Sequence, residues 1–266
     1  MTLSDQIAER LFRQQQEREF FKPLRINEKA ADTAIAYAVQ DRLVELLKED
    51  GLGRPVGYKV GLTSEAMQAF CGIQEPIIGH ILESRVHKSS IEVPASDFVR
   101  LGVECELALL IEKSVPVLDE NADPAQLLDY IKSVHASFEL IEDRNADYGQ
   151  VDAGSIIAEN SWNAGIVVGN GSIPSELPRL DQLSGKLSVS GDHSENGMSS
   201  DVMGGPLNVL NWLARFLEGR GRVIQSGQWI MTGAIIPTIF PNVGETLCFE
   251  IEGLEPVSLT VIEEFS

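Results

Sequence analysis

The stretch that decides the fold is LGVECELALLIEK, residues 101–113, an apolar run that contains two carboxylates. A run of this kind, rich in Val, Leu and Ile, is typical of a buried β-strand. Because side chains alternate along a strand, Glu104 and Glu106 share one face, with their Cα atoms roughly 7 Å apart. Neighbouring carboxylates on an apolar strand are costly unless water, cations or a metal compensate their charge. The pattern indicates either a hydrated strand face or a site for a hard divalent cation.

A second acidic stretch, residues 135–144, follows the first along the chain. Glu139 stands alone between apolar neighbours and is the better candidate there for a third metal ligand. Glu142 and Asp143 lie directly before Arg144, and we interpret these three residues as a surface ion-pair cluster.

Lys59 is the other unusual charged residue. It lies in GYKVGLTS, residues 57–64, with glycines on both sides that let backbone approach a ligand closely. A lysine near a metal can bind a substrate carboxylate or carry a proton. The alternative is a lysine whose stem lies along the edge of the core and whose amine reaches water. The sequence leaves both interpretations open.

The N-terminal part of the chain has a helical pattern. It is polar from about residue 4 to residue 21 and strongly periodic from 28 to 49, before DGLGRP, residues 50–55, ends the second helix. We therefore predict an N-terminal helical segment over residues 1–52.

The remainder, residues 53–266, consists of short β-rich runs separated by turns. Two helices interrupt them, one beginning near Pro124 and one from Pro206 to about Glu218. Many strands and few helices, without regular alternation, indicate an α+β fold built on a curled, mostly antiparallel sheet.

Composition narrows the classes of function. The 266 residues include 40 acidic and 21 basic side chains, a net charge of -19, so the surface repels a phosphate backbone and nucleic acid is not expected as a partner. Cys71, Cys105 and Cys248 are too few for a disulfide framework or a zinc site. No apolar run approaches the roughly 20 residues that span a bilayer, and residues 1–24 contain no apolar signal core. We expect a cytoplasmic protein without a membrane partner.

Five motifs occur in an order that resembles the 2-keto-4-pentenoate hydratase family. That family includes 4-oxalocrotonate decarboxylases and belongs to the fumarylacetoacetate hydrolase superfamily. The resemblance runs from about Ala36 to the C-terminus. It implies a curled β-roll of the fumarylacetoacetate hydrolase C-terminal-domain type over residues 53–266. The motifs are GYKVGLTS (57–64), VECELALLI (103–111), FELIEDR (138–144), GGPLNVLNWLAR (204–215) and SGQWIMTGA (226–234).

The resemblance also implies roles for individual residues. Lys59 is placed at the substrate, and Leu107 and Thr232 are placed around it. Magnesium or manganese is implied as the cofactor, with three glutamates as its ligands, which are Glu104, Glu106 and Glu139.

One departure from the family pattern concerns proton transfer. Family hydratases usually carry an aspartate in a Q-P-D-F-G stretch, whereas this chain reads EPIIG at residues 75–79 and has Ile77 at the aspartate position. The proton is then handled by Glu75, by His80 or by a metal-bound water, or the chain catalyses a different reaction of the superfamily.

The implied activity is a metal-dependent hydration in the catabolism of aromatic compounds. Water would add to a 2-hydroxy-dienoate or 2-oxo-enoate and give a 4-hydroxy-2-oxo acid. A 4-oxalocrotonate-type decarboxylase and an acylpyruvate C–C hydrolase are the alternatives within the superfamily. A third hypothesis is a weakly active subunit that binds a catalytic partner. The resemblance implies a small 2-oxo acid substrate, a homo-oligomer and association with a partner decarboxylase or hydratase.

Overall fold

The computed structural model describes residues 1–26, 29–119, 122–190 and 193–264. Its α-helices are α1 (Leu3–Gln16), α2 (Thr33–Leu47), α3 (Glu65–Cys71), α4 (Ala153–Ala158) and α5 (Pro206–Glu218). Its strands are β1 (Arg25–Ile26), β2 (Lys29–Ala30), β3 (Pro55–Gly61), β4 (Ile77–Leu82), β5 (Val86–Lys88), β6 (Ile91–Pro94), β7 (Leu101–Ile111), β8 (Ile131–Glu142), β9 (Asn163–Val168), β10 (Ser184–Val189), β11 (His193–Met198), β12 (Trp229–Ile239), β13 (Thr246–Ile251) and β14 (Val257–Ile262).

Two large sheets form the body of the protein. One has seven strands in the order β4-β3-β12-β7-β8-β9-β5, and the other has five in the order β11-β10-β13-β14-β6. Most neighbouring strands are antiparallel, and the parallel pairs are β3 with β12, β5 with β9 and β6 with β14. Register shifts between β7 and β12 increase the local twist and bend of the larger sheet. The predicted α+β fold with a curled, mostly antiparallel sheet is confirmed.

The stretch LGVECELALLI, which forms β7, lies in the middle of the seven-stranded sheet. β7 is paired on one side with β12 and on the other with β8, and nearly all of its side chains are buried. On the facing sheet, Phe249 of β13 meets Phe138 of β8, with ring centroids 6.2 Å apart and both side chains fully buried. The apolar character of β7 therefore follows from burial on both of its faces.

The N-terminal helices differ in extent from the predicted ones. The first helix ends at Gln16 and not near residue 21, because Arg18 adopts a left-handed backbone (φ 53°) that a helix does not continue. The second begins at Thr33, where the Asp32 side chain accepts a hydrogen bond from Ile35 N (2.8 Å) and caps the helix. Its predicted start at residue 28 lies outside the described residues.

These helices pack on the same apolar core as the sheets. Ile7 and Leu11 of α1 and Val39 and Leu43 of α2 are buried within it. Among the described residues, no helix combines the length and the apolar content that crossing a bilayer requires. The boundary after residue 52 stays a prediction.

Short elements account for most of the other differences. The helix predicted from Pro124 is a 3₁₀ turn over Pro124–Tyr130, whereas the predicted helix from Pro206 to Glu218 is observed as α5. The helices α3 and α4 are not predicted from the sequence. They have 7 and 6 residues, and two turns or fewer show no helical period.

Candidate metal centre

The pairing of β7 with β8 brings the three predicted metal ligands together. Glu104 lies directly opposite Glu139 across the antiparallel pair, and Glu106 follows two residues later on β7. One carboxylate oxygen from each residue lies within 4.8 Å of the other two. The shared face of Glu104 and Glu106 was predicted from strand geometry, whereas their register against Glu139 is set by the sheet.

Each of the three carboxylates is held by a donor from a neighbouring strand. One oxygen of each side chain is engaged in this way, and the second oxygen of the two inner carboxylates accepts no hydrogen bond. Within the described part of the chain, Glu106 Oε1 and Glu139 Oε2 are buried and accept no hydrogen bond. The donors run from Gly233 N to Glu106 Oε2 (2.8 Å), from Asn163 Nδ2 to Glu139 Oε1 (2.7 Å) and from Thr238 Oγ1 to Glu104 Oε1 (2.5 Å).

Lys59 supplies positive charge beside these carboxylates. Its Nζ lies 3.3 Å from Glu139 Oε2, and its side chain is only 6% exposed. Burial alone lowers the pKa of a lysine, but Glu139, Glu104 and Glu106 together raise it, so the amine stays protonated. The interpretation in which this amine reaches water is wrong.

The inner carboxylates are strongly perturbed. Burial raises the pKa of Glu106 well above its usual range, and the charges of Glu139 and Glu104 raise it further. Burial also raises the pKa of Glu139 to about 7, against the opposing effect of Lys59. One ammonium therefore does not compensate three neighbouring carboxylates.

The residues fit a hard divalent cation. Three carboxylates converge, two of their buried oxygens accept no hydrogen bond, and the ammonium of Lys59 is the positive charge beside them. Carboxylate oxygens are the donors that Mg²⁺ and Mn²⁺ prefer. Glu104, Glu106 and Glu139 are therefore the residues that could hold such an ion.

A cavity of about 600 Å³ adjoins this cluster, and Lys59 and Glu104 line it. Ile77, the first residue of β4, also lines it and pairs with Gly61 of β3. A Cβ placed on Gly61 would lie 3.1 Å from Lys59 Nζ and 3.6 Å from Ile77 Cγ1, so these two side chains are neighbours. The position where family hydratases carry an aspartate thus presents a hydrocarbon side chain next to Lys59.

Four other predicted site residues lie away from this cavity. Thr232 Oγ1 donates to the Leu107 carbonyl oxygen (3.0 Å), and both residues are buried within the sheet. Glu75 is exposed on a bend before β4. His80 is buried with its Nε2 3.4 Å from an Arg222 nitrogen, because alternation along β4 turns it away from the face of Ile77. Leu107 and Thr232 were expected around the substrate, and Glu75 and His80 were candidates for handling the proton; none of the four lines this cavity, and their roles stay predictions.

The interpretation of residues 142–144 as a surface cluster is also wrong. Asp143 is fully buried and accepts hydrogen bonds from Arg100, and Arg144 is 2% exposed and pairs with Glu159. β8 extends to Glu142 and carries these charges into the interior, where each is paired.

Several residues of the site were not singled out in the sequence. Asn163, Thr238 and Gly233 hold the carboxylates, and none of them stands in a charged or unusual stretch. Asp201 was missed as well, although it and Glu104 are the acidic side chains among the described residues that line the cavity. Their positions depend on strand register and on a turn before α5. Neither of these can be predicted from a single sequence.

Known proteins show the same architecture over nearly the whole chain. Residues 64–262 match the family described as fumarylacetoacetate (FAA) hydrolase C-terminal. A 2-keto-4-pentenoate hydratase of Paraburkholderia phymatum is 29% identical over 259 residues, which cover 97% of each chain. A 2-oxo-hept-4-ene-1,7-dioate hydratase of Escherichia coli is 28% identical, with 95% of each chain covered.

A solved structure gives the corresponding result for the fold. The 4-oxalocrotonate decarboxylase from Pseudomonas putida G7, complexed with magnesium and adipate, superposes with a TM-score of 0.89 at 25% identity over 97% of each chain. The family match covers about three quarters of this sequence, and the resemblance seen in the motifs is confirmed. The chain belongs to the fumarylacetoacetate hydrolase family.

Proposed function

We propose that this protein is a divalent-metal-dependent hydratase that adds water to a 2-hydroxy-2,4-dienoate and releases a 4-hydroxy-2-oxo acid. The observation that carries the proposal is the cluster of three glutamates beside Lys59, with Glu104 and Lys59 on the lining of the cavity. Curated relatives over nearly the full chain are named as hydratases of such acids, and the chain is a hydratase-like enzyme.

Glu104, Glu106 and Glu139 would hold the metal, for which magnesium or manganese fits the donor set. When bound, the ion supplies positive charge that stabilises the anionic form of a 2-oxo acid. The protein positions the three carboxylates in advance through Gly233, Asn163 and Thr238, so little rearrangement is needed on binding.

We assign the remaining steps, substrate orientation and proton transfer, to residues that line the cavity. The Lys59 ammonium, held protonated by the carboxylates, orients the substrate carboxylate or relays a proton. The terminal carbon of the dienoate gains a proton while the enol loses one, which gives a conjugated 2-oxo-enoate. Water then adds across the remaining double bond, its hydroxyl to C4 and a proton to C3. Asp201 is an exposed residue on the cavity lining whose Oδ2 accepts a hydrogen bond from Met198 N (2.9 Å), and we propose its carboxylate as the group that accepts a proton from the attacking water.

A decarboxylase of the 4-oxalocrotonate type is the second candidate. Ile77 favours it, since loss of carbon dioxide generates the dienolate without the acid that hydratases carry at this position. The similarity to the decarboxylase structure also supports it. The two reactions differ in substrate, because the decarboxylase needs a second carboxylate to lose.

Turnover with and without magnesium tests the proposed function. Purified protein should convert 2-hydroxypenta-2,4-dienoate to 4-hydroxy-2-oxopentanoate only with magnesium or manganese present. Glu106→Gln should lower this rate by at least about 100-fold. The matched control is Glu112→Gln, an exposed glutamate directly after β7, which should keep the rate. Carbon dioxide release from 2-oxohex-3-enedioate, with no hydration of the dienoate, would instead establish the decarboxylase.

Asp201→Asn tests the assignment of the water-activating group. We expect kcat to fall by about 100-fold with KM little changed, because the carboxylate acts on water and not on the bound acid. An unchanged kcat would remove Asp201 from the mechanism.

We further propose that the protein works in the cytoplasm as a homo-oligomer, with or without a partner decarboxylase or hydratase. Exposed apolar side chains on the helical segment, such as Leu3 and Phe20, support a surface of this kind. Light scattering of the purified chain at several concentrations measures its subunit number. Full activity of the chain alone would contradict an obligatory catalytic partner.

A further inference from the structure

Much of the lining of the cavity is apolar. It is walled by side chains from α3, from the end of β8, from the segment before and within α4, and from β12. Among them are Met67, Phe70, Ile141, Val151, Ile156 and Phe240. A wall of this composition binds hydrocarbon and offers a charged group nothing to replace its water.

Three of these apolar side chains are also exposed. Met67 is 41% exposed, Phe70 52% and Phe240 41%, and all three line the same cavity. Large apolar side chains that gather at the mouth of a cavity and face water gain when a ligand covers them. This observation is independent of the charges of the metal centre.

The charges of the side chains that line the cavity also disfavour a second charged group on the ligand. Among the described residues that line the cavity, Lys59 is the one cation, and it is already engaged with Glu139. Glu104 and Asp201 are acidic. Arg100 lies behind the Phe240 ring, and its guanidinium is bonded to buried Asp143. A second carboxylate on the ligand would therefore meet hydrocarbon, a few hydroxyl groups such as those of Thr63 and Ser64, and the like charge of Asp201, without a cation to pair with.

We infer that the substrates of this enzyme are monocarboxylates whose far end carries an uncharged hydrocarbon tail, and that Met67, Phe70 and Phe240 select this tail against a second carboxylate. The inference rests on the proposed function for the 2-oxo acid end of the ligand. The cavity volume of about 600 Å³ exceeds what a five-carbon acid fills and falls in the range that accepts drug-sized molecules. The cavity thus has room for a tail longer than the vinyl group of a pentadienoate.

The inference separates the two candidate reactions. A decarboxylase must bind the carboxylate that it removes, and that group lies at the far end of an oxalocrotonate. The apolar wall disfavours such a ligand, so the tail preference favours hydration.

Binding of saturated 2-oxo acids, which cannot be hydrated, tests the tail directly. Calorimetry with magnesium present should show 2-oxoheptanoate binding more tightly than 2-oxopentanoate, by about fourfold for each buried methylene. The dianion 2-oxoheptanedioate should bind at least about 100-fold more weakly than 2-oxoheptanoate. If the dianion binds as tightly as 2-oxoheptanoate, the inference is overturned while the proposed function stands. If no 2-oxo acid binds, the proposed function fails and the inference with it.

A charge placed on the wall tests the selecting residues. Met67→Arg, on the exposed side of α3, should weaken binding of 2-oxoheptanoate and strengthen binding of 2-oxoheptanedioate, shifting their ratio by at least about tenfold. Ile173→Arg is the matched control, since Ile173 is an apolar residue of similar exposure (49%) that does not line this cavity. Equal shifts in both variants would show that overall charge, and not the cavity wall, sets the preference.

Discussion

Burial raises the pKa of the Glu106 and Glu139 carboxyl groups, that of Glu139 to about 7, so that both bind protons more tightly than exposed glutamates when no metal is bound. A metal binds the deprotonated forms and has to displace these protons. We therefore predict that magnesium affinity rises steeply from pH 6 to pH 8, by up to about tenfold per pH unit for each proton released. Calorimetry at pH 7 in two buffers of different ionisation enthalpy measures the released protons directly.

The same titration with Glu139→Gln provides the control. This variant lacks one of the two titrating groups and should release fewer protons for each ion bound, at lower affinity. A magnesium affinity that is constant between pH 6 and pH 8 would contradict the raised pKa values.

His80 affects stability and not the cavity. Burial lowers its pKa to about 4, with Arg222 and Arg220 adding to the effect against Asp41. Between pH 6.5 and pH 4 the unfolded chain takes up a proton at this residue and the folded chain does not, so stability falls as the pH falls. The loss over this range is about 3 kcal/mol. Urea unfolding at several pH values should show it.

A substitution isolates this contribution from that of the carboxyl groups. His80→Gln should flatten the dependence of unfolding free energy on pH between 6.5 and 4, whatever its effect at pH 8. His193→Gln changes an exposed histidine on β11 and should leave the slope as it is. A steep slope that persists in the His80 variant would show that other groups cause the acid sensitivity.

At the scale of elements, an irregularity in β12 shapes the metal centre. The register between β12 and β7 shifts after Met231, and Gly233 there adopts a φ of +101° that turns its N–H to Glu106. A Cβ at Gly233 would lie 2.7 Å from Thr63 Cγ2 and 2.8 Å from Val202 Cγ1. Gly233→Ala should thus lower the unfolding free energy by about 3 kcal/mol, through both the backbone conformation and the clash.

Gly244→Ala separates these two causes. Gly244 also has a positive φ, +89°, but a Cβ there would meet nothing within 4 Å. This control should lose about 1 kcal/mol, the cost of the left-handed backbone alone. Urea unfolding of both variants compares the losses, and equal losses would contradict the close packing around Gly233. Gly233→Ala should also weaken magnesium binding, whereas Gly244→Ala should not.

The same elements show what a sequence can predict here. The two-residue period of β7 sufficed to place Glu104 and Glu106 on one face, and α5 shows a clear helical period. Glu139 is different, because its place opposite Glu104 depends on the register of β7 with β8, which forms only when the strands pair. The burial of Asp143 and Arg144 was misjudged for a related reason, since paired charges inside a protein look in sequence like any surface cluster.

At the scale of the whole molecule, the N-terminal helices and both sheets share one core. The helices α1 and α2 do not line the cavity, which is built by β3, β4, β7, β8, β12, the short helices α3 and α4 and the turns beside them. The seven-stranded sheet therefore sets the position of the site. The N-terminal helical segment covers apolar surface of the core.

The net charge of -19 opposes the approach of the anionic substrate that we propose. Salt screens this repulsion, since the Debye length falls from about 30 Å at 0.01 M to about 8 Å at 0.15 M ionic strength. We predict that kcat/KM rises by about twofold to threefold over this range through a lower KM, with kcat unchanged. Steady-state rates at saturating magnesium measure it, and choline chloride in place of sodium chloride controls for specific ion effects. A fall in kcat/KM would mean that the local charge of Lys59 dominates the field at the cavity.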